Sequence, residues 1–133
     1  TCLYGWKSYN GLCYIIAANN KQSWYKAQEL CEQDGAMLAY IEDEEEFQFL
    51  RRSRPPGSST NQYFIGLRSA NDSKTWLWPD GTKAKFFKWA KGEPNNYQGN
   101  TEDCVAMDFR SLSNGSYNDV LCQESSVSGY ICK

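Results

Sequence analysis

The chain has 133 residues and a formal net charge of −2, with acids and bases interleaved, so it is long enough for a substantial core and offers no basic footprint for nucleic acid. Aromatic residues make up 15% of it and histidine is absent, so large rings are expected to carry much of the core and a His-based metal or acid–base centre is excluded. No apolar run approaches the roughly 20 residues of a membrane span, and neither a Met start nor a signal peptide is present, which suggests a mature chain or an excised unit, read here as a single domain over residues 1–133.

Two short aromatic runs flank Asn10-Gly11, a pair suited to a two-residue hairpin turn. Trp6 to Tyr9 and Leu12 to Ile16 are therefore predicted as antiparallel strands, which brings Cys2 towards Cys13. Ser23 is a helix cap, followed by Trp24, Ala27, Leu30 and Cys31 at helical spacing. Gly35 ends this helix, and a short strand through Leu38 to Ile41 is expected next. Asp43-Glu44-Glu45-Glu46 opens a second helix with Phe47 and Leu50 on its apolar side. Acids in a first turn favour the positive end of the helix dipole, and this run is read that way rather than as a site. Arg51, Arg52 and Arg54 lie at the other end, Pro55-Pro56-Gly57 stops the helix, and Pro55 to Gln62 is a surface loop.

Tyr63-Phe64-Ile65-Gly66-Leu67 reads as a buried strand. Beyond it the apolar pattern thins, Asp80-Gly81 offers a tight turn, and there is little periodicity as far as Asn118. Irregular stretches of that length are usually functional or disordered, and Trp76, Trp78 and Trp89 argue against disorder. Together with Trp24 these are read as core or loop anchors. Cys104 to Phe109 alternates as a strand, Asn114-Gly115 suggests a turn, and Gly129 to Cys132 forms a last strand.

The six cysteines, at 2, 13, 31, 104, 122 and 132, include no Cys-x-x-Cys pair. Three disulfides in an oxidising, extracellular setting account for them better than zinc, although six cysteines allow 15 pairings. Sequons at Asn71 and Asn114 agree with secretion. Within the irregular region, Glu93-Pro94-Asn95, Glu102-Asp103-Cys104 and Asn118-Asp119 place carboxylates and carboxamides close together in sequence. Such all-oxygen surroundings suit calcium.

In these motifs the chain resembles the C-type lectin domains, and the likeness covers nearly its whole length. The cysteines have that family's long-form layout, Phe64-Ile65-Gly66-Leu67 stands at its Trp-Ile-Gly-Leu strand, and Tyr117-Asn118-Asp119 stands at its Trp-Asn-Asp triplet. The resemblance implies an α+β fold, with two helices flanking antiparallel sheets and a long irregular loop carrying a calcium and sugar site. It also implies the pairings Cys2–Cys13, Cys31–Cys132 and Cys104–Cys122. One principal calcium would be held by Glu93, Asn95, Glu102, Asn118 and Asp119, and Pro94 would follow a cis peptide bond. Five side chains approach the about 6–8 oxygens calcium takes and leave room for two vicinal sugar hydroxyls.

Glu93, Asn95, Glu102 and Asn118 would hydrogen-bond those hydroxyls, and Tyr97 is a further candidate sugar contact. The Glu-Pro-Asn order resembles the mannose-type subgroup, which accepts equatorial 3- and 4-hydroxyls: mannose, glucose, N-acetylglucosamine and fucose. Galactose is associated with Gln-Pro-Asp. Two departures stand out: Tyr117 replaces a tryptophan, and an auxiliary calcium site would fall on Ser69 and Ser73, with Asn96, Glu102 and Asp103, so it should be weak or absent.

The expectation is therefore a non-catalytic, calcium-dependent lectin for terminal mannose-type glycans, outside the cell and without membrane insertion, with clustering into oligomers a route to avidity. The competing expectation is a protein- or lipid-binding module of the same fold in which calcium is absent or structural. An enzyme is the weakest reading: Glu93 and Glu102 could imitate a glycosidase pair, but calcium would occupy them.

Overall fold

The computed structural model describes residues 2–55, 61–70, 75–94, 103–109, 116–124 and 126–133. Its elements are β1 (Lys7–Tyr9), β2 (Leu12–Ala17), α1 (Trp24–Gln33), α2 (Glu44–Arg52), β3 (Gln62–Ser69), β4 (Trp76–Leu77), β5 (Cys104–Asp108), β6 (Tyr117–Val120) and β7 (Gly129–Cys132).

The hairpin forms as expected. Asn10 and Gly11 both take positive φ, 51° and 81°, as the tight turn between right-twisted strands requires, and Tyr9 pairs with Leu12. Both helices start at their predicted caps: Ser23 Oγ accepts from the Lys26 amide at 3.1 Å and Asp43 Oδ1 from the Glu46 amide at 2.8 Å. Gly35, at φ 76°, lies just beyond α1.

The strands run β1-β2-β7-β3-β5-β6, with β4 on β3. All pairs are antiparallel except β3 with β7, which is parallel. Strand β3 is buried almost throughout, and apolar from Tyr63 to Leu67, because both its faces are covered. Tyr63, Ile65 and Leu67 join Phe47, Leu50, Val105 and Met107 in one cluster, while Phe64 joins Trp24, Ala27, Ala106 and Tyr130 in the other. The strand's period of two thus divides the core, with residues of α2 in one layer and of α1 in the other.

Three disulfides close the frame: Cys2–Cys13, Cys31–Cys132 and Cys104–Cys122. They tie the first hairpin, α1 to β7, and the start of β5 to the end of β6. Trp24, Trp76 and Trp78 are buried in the core, and the indole of Trp24 donates to the Ile65 carbonyl at 2.8 Å.

Two local expectations are corrected. Leu38 to Ile41 is not a strand; it makes a single bridge, Leu38 to Cys132. The chain leaves β7 there to cross β3, where the Gly66 amide donates to Ala39 at 2.8 Å. A Cβ on Gly66 would sit 2.7 Å from the Leu38 carbonyl oxygen, so only glycine admits this crossing. Conversely, Tyr117 and Asn118, read as the end of an irregular stretch, open strand β6, paired with β5 from Cys104↔Val120 to Met107↔Tyr117.

Candidate functional site

The segment leading to Glu93 hangs on β6 through its backbone. The Lys88 carbonyl accepts from the amides of Ser116 and Tyr117 at 2.7 and 2.8 Å, and the Ala90 amide donates to the Tyr117 carbonyl at 2.9 Å. Trp89 and Tyr117 form a parallel bridge. The chain then turns at Lys91-Gly92, with Gly92 at φ 84°, and the Glu93 amide donates to the Ala90 carbonyl at 3.0 Å. The Glu93–Pro94 peptide is cis. One end of the first acidic motif is thereby set beside the strand that carries Asn118 and Asp119.

Beneath this turn lies an aromatic bed. The Trp89 ring packs at 5.1 Å from Trp76, 5.9 Å from Phe87 and 6.0 Å from Tyr117. Tyr117 is fully buried, 5.9 Å from the Phe47 ring, so it fills an aromatic slot, as expected of a tryptophan replacement. Burial, then the nearby charges of Glu46 and Glu44, push its phenol well above the ordinary range. The Lys88 ammonium lies 2.9 Å from the Glu44 carboxylate and 5.4 Å from the Phe47 ring, which ties the segment to α2 as well.

Glu93 is thus held by backbone bonds next to the start of β6, the strand that carries Asn118 and Asp119. Oε1 of Glu93 is shielded from solvent and Asp119 is 1% exposed, while Asn118 is half-buried. Carboxylates this buried need a polar or charged setting, and two of them with a carboxamide are hard oxygen donors of the kind calcium takes. The described part of the donor set fits that ion. Asn95, Tyr97 and Glu102 lie outside the described residues, as do Ser73 and Asn96 of the auxiliary set. Ser69 is buried on β3, and its amide donates to the Asp103 carbonyl at 2.7 Å; it brings a hydroxyl where an acid was expected.

Sequence reasoning missed the part played by Lys88, Trp89 and Ala90. Their contribution is made by backbone groups, which leave no pattern of side chains; the indole of Trp89 was the one signal available.

The family model for the lectin C-type domain matches residues 20–133. Ladderlectin of Oncorhynchus mykiss is 33% identical over 99% of this chain and 68% of its own length. The human (Homo sapiens) C-type lectin domain family 4 member C is 35% identical over 99% of this chain and 59% of its own. The chain spans between about a third and two thirds of the length of the curated relatives it matches. Among solved structures, the C-type lectin domain of murine dendritic cell inhibitory receptor 2, in complex with N-glycan, superposes with a TM-score of 0.84 at 30% identity, covering 99% of this chain and 97% of that one. With its fold, its three disulfides and this match, the chain belongs to the C-type lectin domain family.

Proposed function

We propose that residues 1–133 act as one carbohydrate-recognition domain that binds mannose-type sugars through calcium and performs no catalysis. The observation that supports this reading is the attachment of the segment leading to the cis Glu93–Pro94 turn to β6, the strand that carries Asn118 and Asp119. Relatives support it: one solved neighbour holds an N-glycan, and another, the cow CD23 domain, was determined in the presence of a GlcNAc2Man3 oligosaccharide.

Glu93, Asn95, Glu102, Asn118 and Asp119 would hold the ion. When bound, calcium supplies coordination positions for two vicinal hydroxyls and makes those hydroxyls better donors. Glu93 and Asn95 serve one hydroxyl and Glu102 and Asn118 the other, each carboxylate accepting the hydroxyl proton and each carboxamide donating N–H. Tyr97 is a further sugar contact from the same loop. The Glu-Pro-Asn order favours equatorial 3- and 4-hydroxyls over the axial 4-hydroxyl of galactose. With Ser69 in place of an acid, one calcium rather than two orders the loop. The three disulfides suit an extracellular location, and several copies presented together would give avidity that one shallow site lacks.

A glycan array tests this directly. Mannose-type glycans should bind with calcium, release in excess EDTA, and rebind when calcium is restored. Release should also follow acidification, because protonated carboxylates lose the ion. Glu93→Gln with Asn95→Asp should move preference towards galactose. Sugar binding that survives EDTA sinks the mechanism, and a chain that binds calcium but no glycan points instead to a protein- or lipid-binding module.

A further inference from the structure

On the segment that leads to Glu93, but nearer β4, lies a second hollow. It has a volume of about 320 Å³ and is lined by Ile41, Trp78 and Phe86 below and by Glu42, Thr82, Lys83 and Lys85 at the rim. That volume is near the lower end for small-ligand sites. The rim is a built structure: Thr82 donates to the Asp80 carboxylate through its hydroxyl at 2.7 Å and its amide at 3.0 Å. The Trp78 amide donates to the Thr82 carbonyl at 2.9 Å, Gly81 takes φ 89° to close the turn, and Lys83 bridges Leu77.

Lys83 and Lys85 stand two residues apart and line the same hollow, so along extended chain their stems rise about 7 Å apart on one side. Both are exposed, and neither joins an ion pair among the described residues, unlike Lys88, which is held by Glu44. The other charges at the rim are the exposed carboxylate of Glu42, which opposes an anion, and that of Asp80, which Thr82's donors hold below the ordinary carboxylate range.

We propose that this hollow is a second saccharide site, for a sulfated sugar, working without calcium. Half-buried Phe86 and the exposed edge of Trp78 offer an apolar face to a pyranose ring, and two ammonium groups that join no ion pair among the described residues match sulfates standing off that ring. A membrane surface fits less well: among the described residues the exposed large apolar ones, Leu3, Tyr4, Leu12, Tyr25 and Leu121, all lie outside the hollow. Lys85 is eight positions from Glu93, which places the two sites no more than about 30 Å apart along the chain. One oligosaccharide could therefore meet both. The inference nonetheless stands apart from the calcium-dependent reading and is tested without calcium.

The experiment titrates the chain, in EDTA, into a labelled and fully sulfated heparin hexasaccharide and follows fluorescence anisotropy. Saturable binding that weakens with added salt is expected. Lys83→Gln with Lys85→Gln should weaken it about tenfold without lowering the melting temperature, and Glu42→Gln, which removes the opposing charge, should tighten it about twofold. The tightening is a gain that misfolding cannot produce. Equal affinity in the lysine double variant, equal binding of the desulfated hexasaccharide, or binding only to phosphatidylglycerol vesicles would each overturn the proposal.

Discussion

Glu46, in the first turn of α2, is 5% exposed and makes three polar contacts. Its carboxylate accepts from the Tyr14 hydroxyl, from the Glu42 amide at 2.8 Å, and from the Lys133 ammonium at 2.6 Å. Lys133 is itself only 1% exposed at its side chain and lies over the Tyr40 ring. The reading of Glu44, Glu45 and Glu46 as dipole complements suits the first two and misses the third, because its partners come from opposite ends of the sequence. Replacing Glu46 with Ala leaves a buried ammonium uncompensated. It should cost roughly 3–5 kcal/mol in denaturant unfolding, with part of the loss recovered by adding Lys133→Met. Tyr14 also gives a pH signature. Burial first, then the hydrogen bond and charge of Glu46, push its phenol far above the ordinary 10.0. A folded-state pKa raised in this way stabilises fully below about pH 10 and is lost as pH rises above that value. In an ultraviolet alkaline titration, Tyr14 and Tyr117 should ionise only together with unfolding.

At the scale of elements, sequence was informative wherever a local rule and the tertiary fold agree. Ser23 and Asp43 cap, Asn10-Gly11 turns, and Tyr63 to Leu67 is apolar because both faces of β3 are covered. Asp43→Ala should therefore destabilise the chain by about 1 kcal/mol, and Asp43→Asn by much less, in the same unfolding assay. Where rule and fold part, sequence misleads. Strand β6 reads Tyr-Asn-Asp-Val, and asparagine and aspartate are depleted in strands. Pairing with β5, reinforced by Cys104–Cys122, imposes the extended form there. Leu38 to Ile41 has the composition of a strand, yet the crossing at Gly66 leaves it only one bridge.

At the scale of the whole molecule, the disulfide frame was legible only through the resemblance to C-type lectin domains, since the cysteines by themselves allow 15 pairings. The means by which Glu93 is held was not legible, because carbonyl and amide groups of Lys88, Ala90 and Tyr117 do that work. The disulfide frame has a mechanical consequence. Tension applied to the two ends of the chain enters at Cys2, passes to Cys13, runs through β2 and α1 to Cys31, and leaves across the sulfur bridge to Cys132. Helix α2, strands β3 to β6 and the residues Glu93, Asn118 and Asp119 lie on a branch that carries no load. In single-molecule stretching, the oxidised chain should lengthen only between Cys13 and Cys31. Reduction of Cys31–Cys132, which spans 101 positions of which Cys104–Cys122 keeps 18 closed, should release roughly 280 Å more. Absence of that added length would show that the load path is wrong. A ligand held at Glu93 would thus be borne by an unstretched part of the molecule, however hard the ends are pulled.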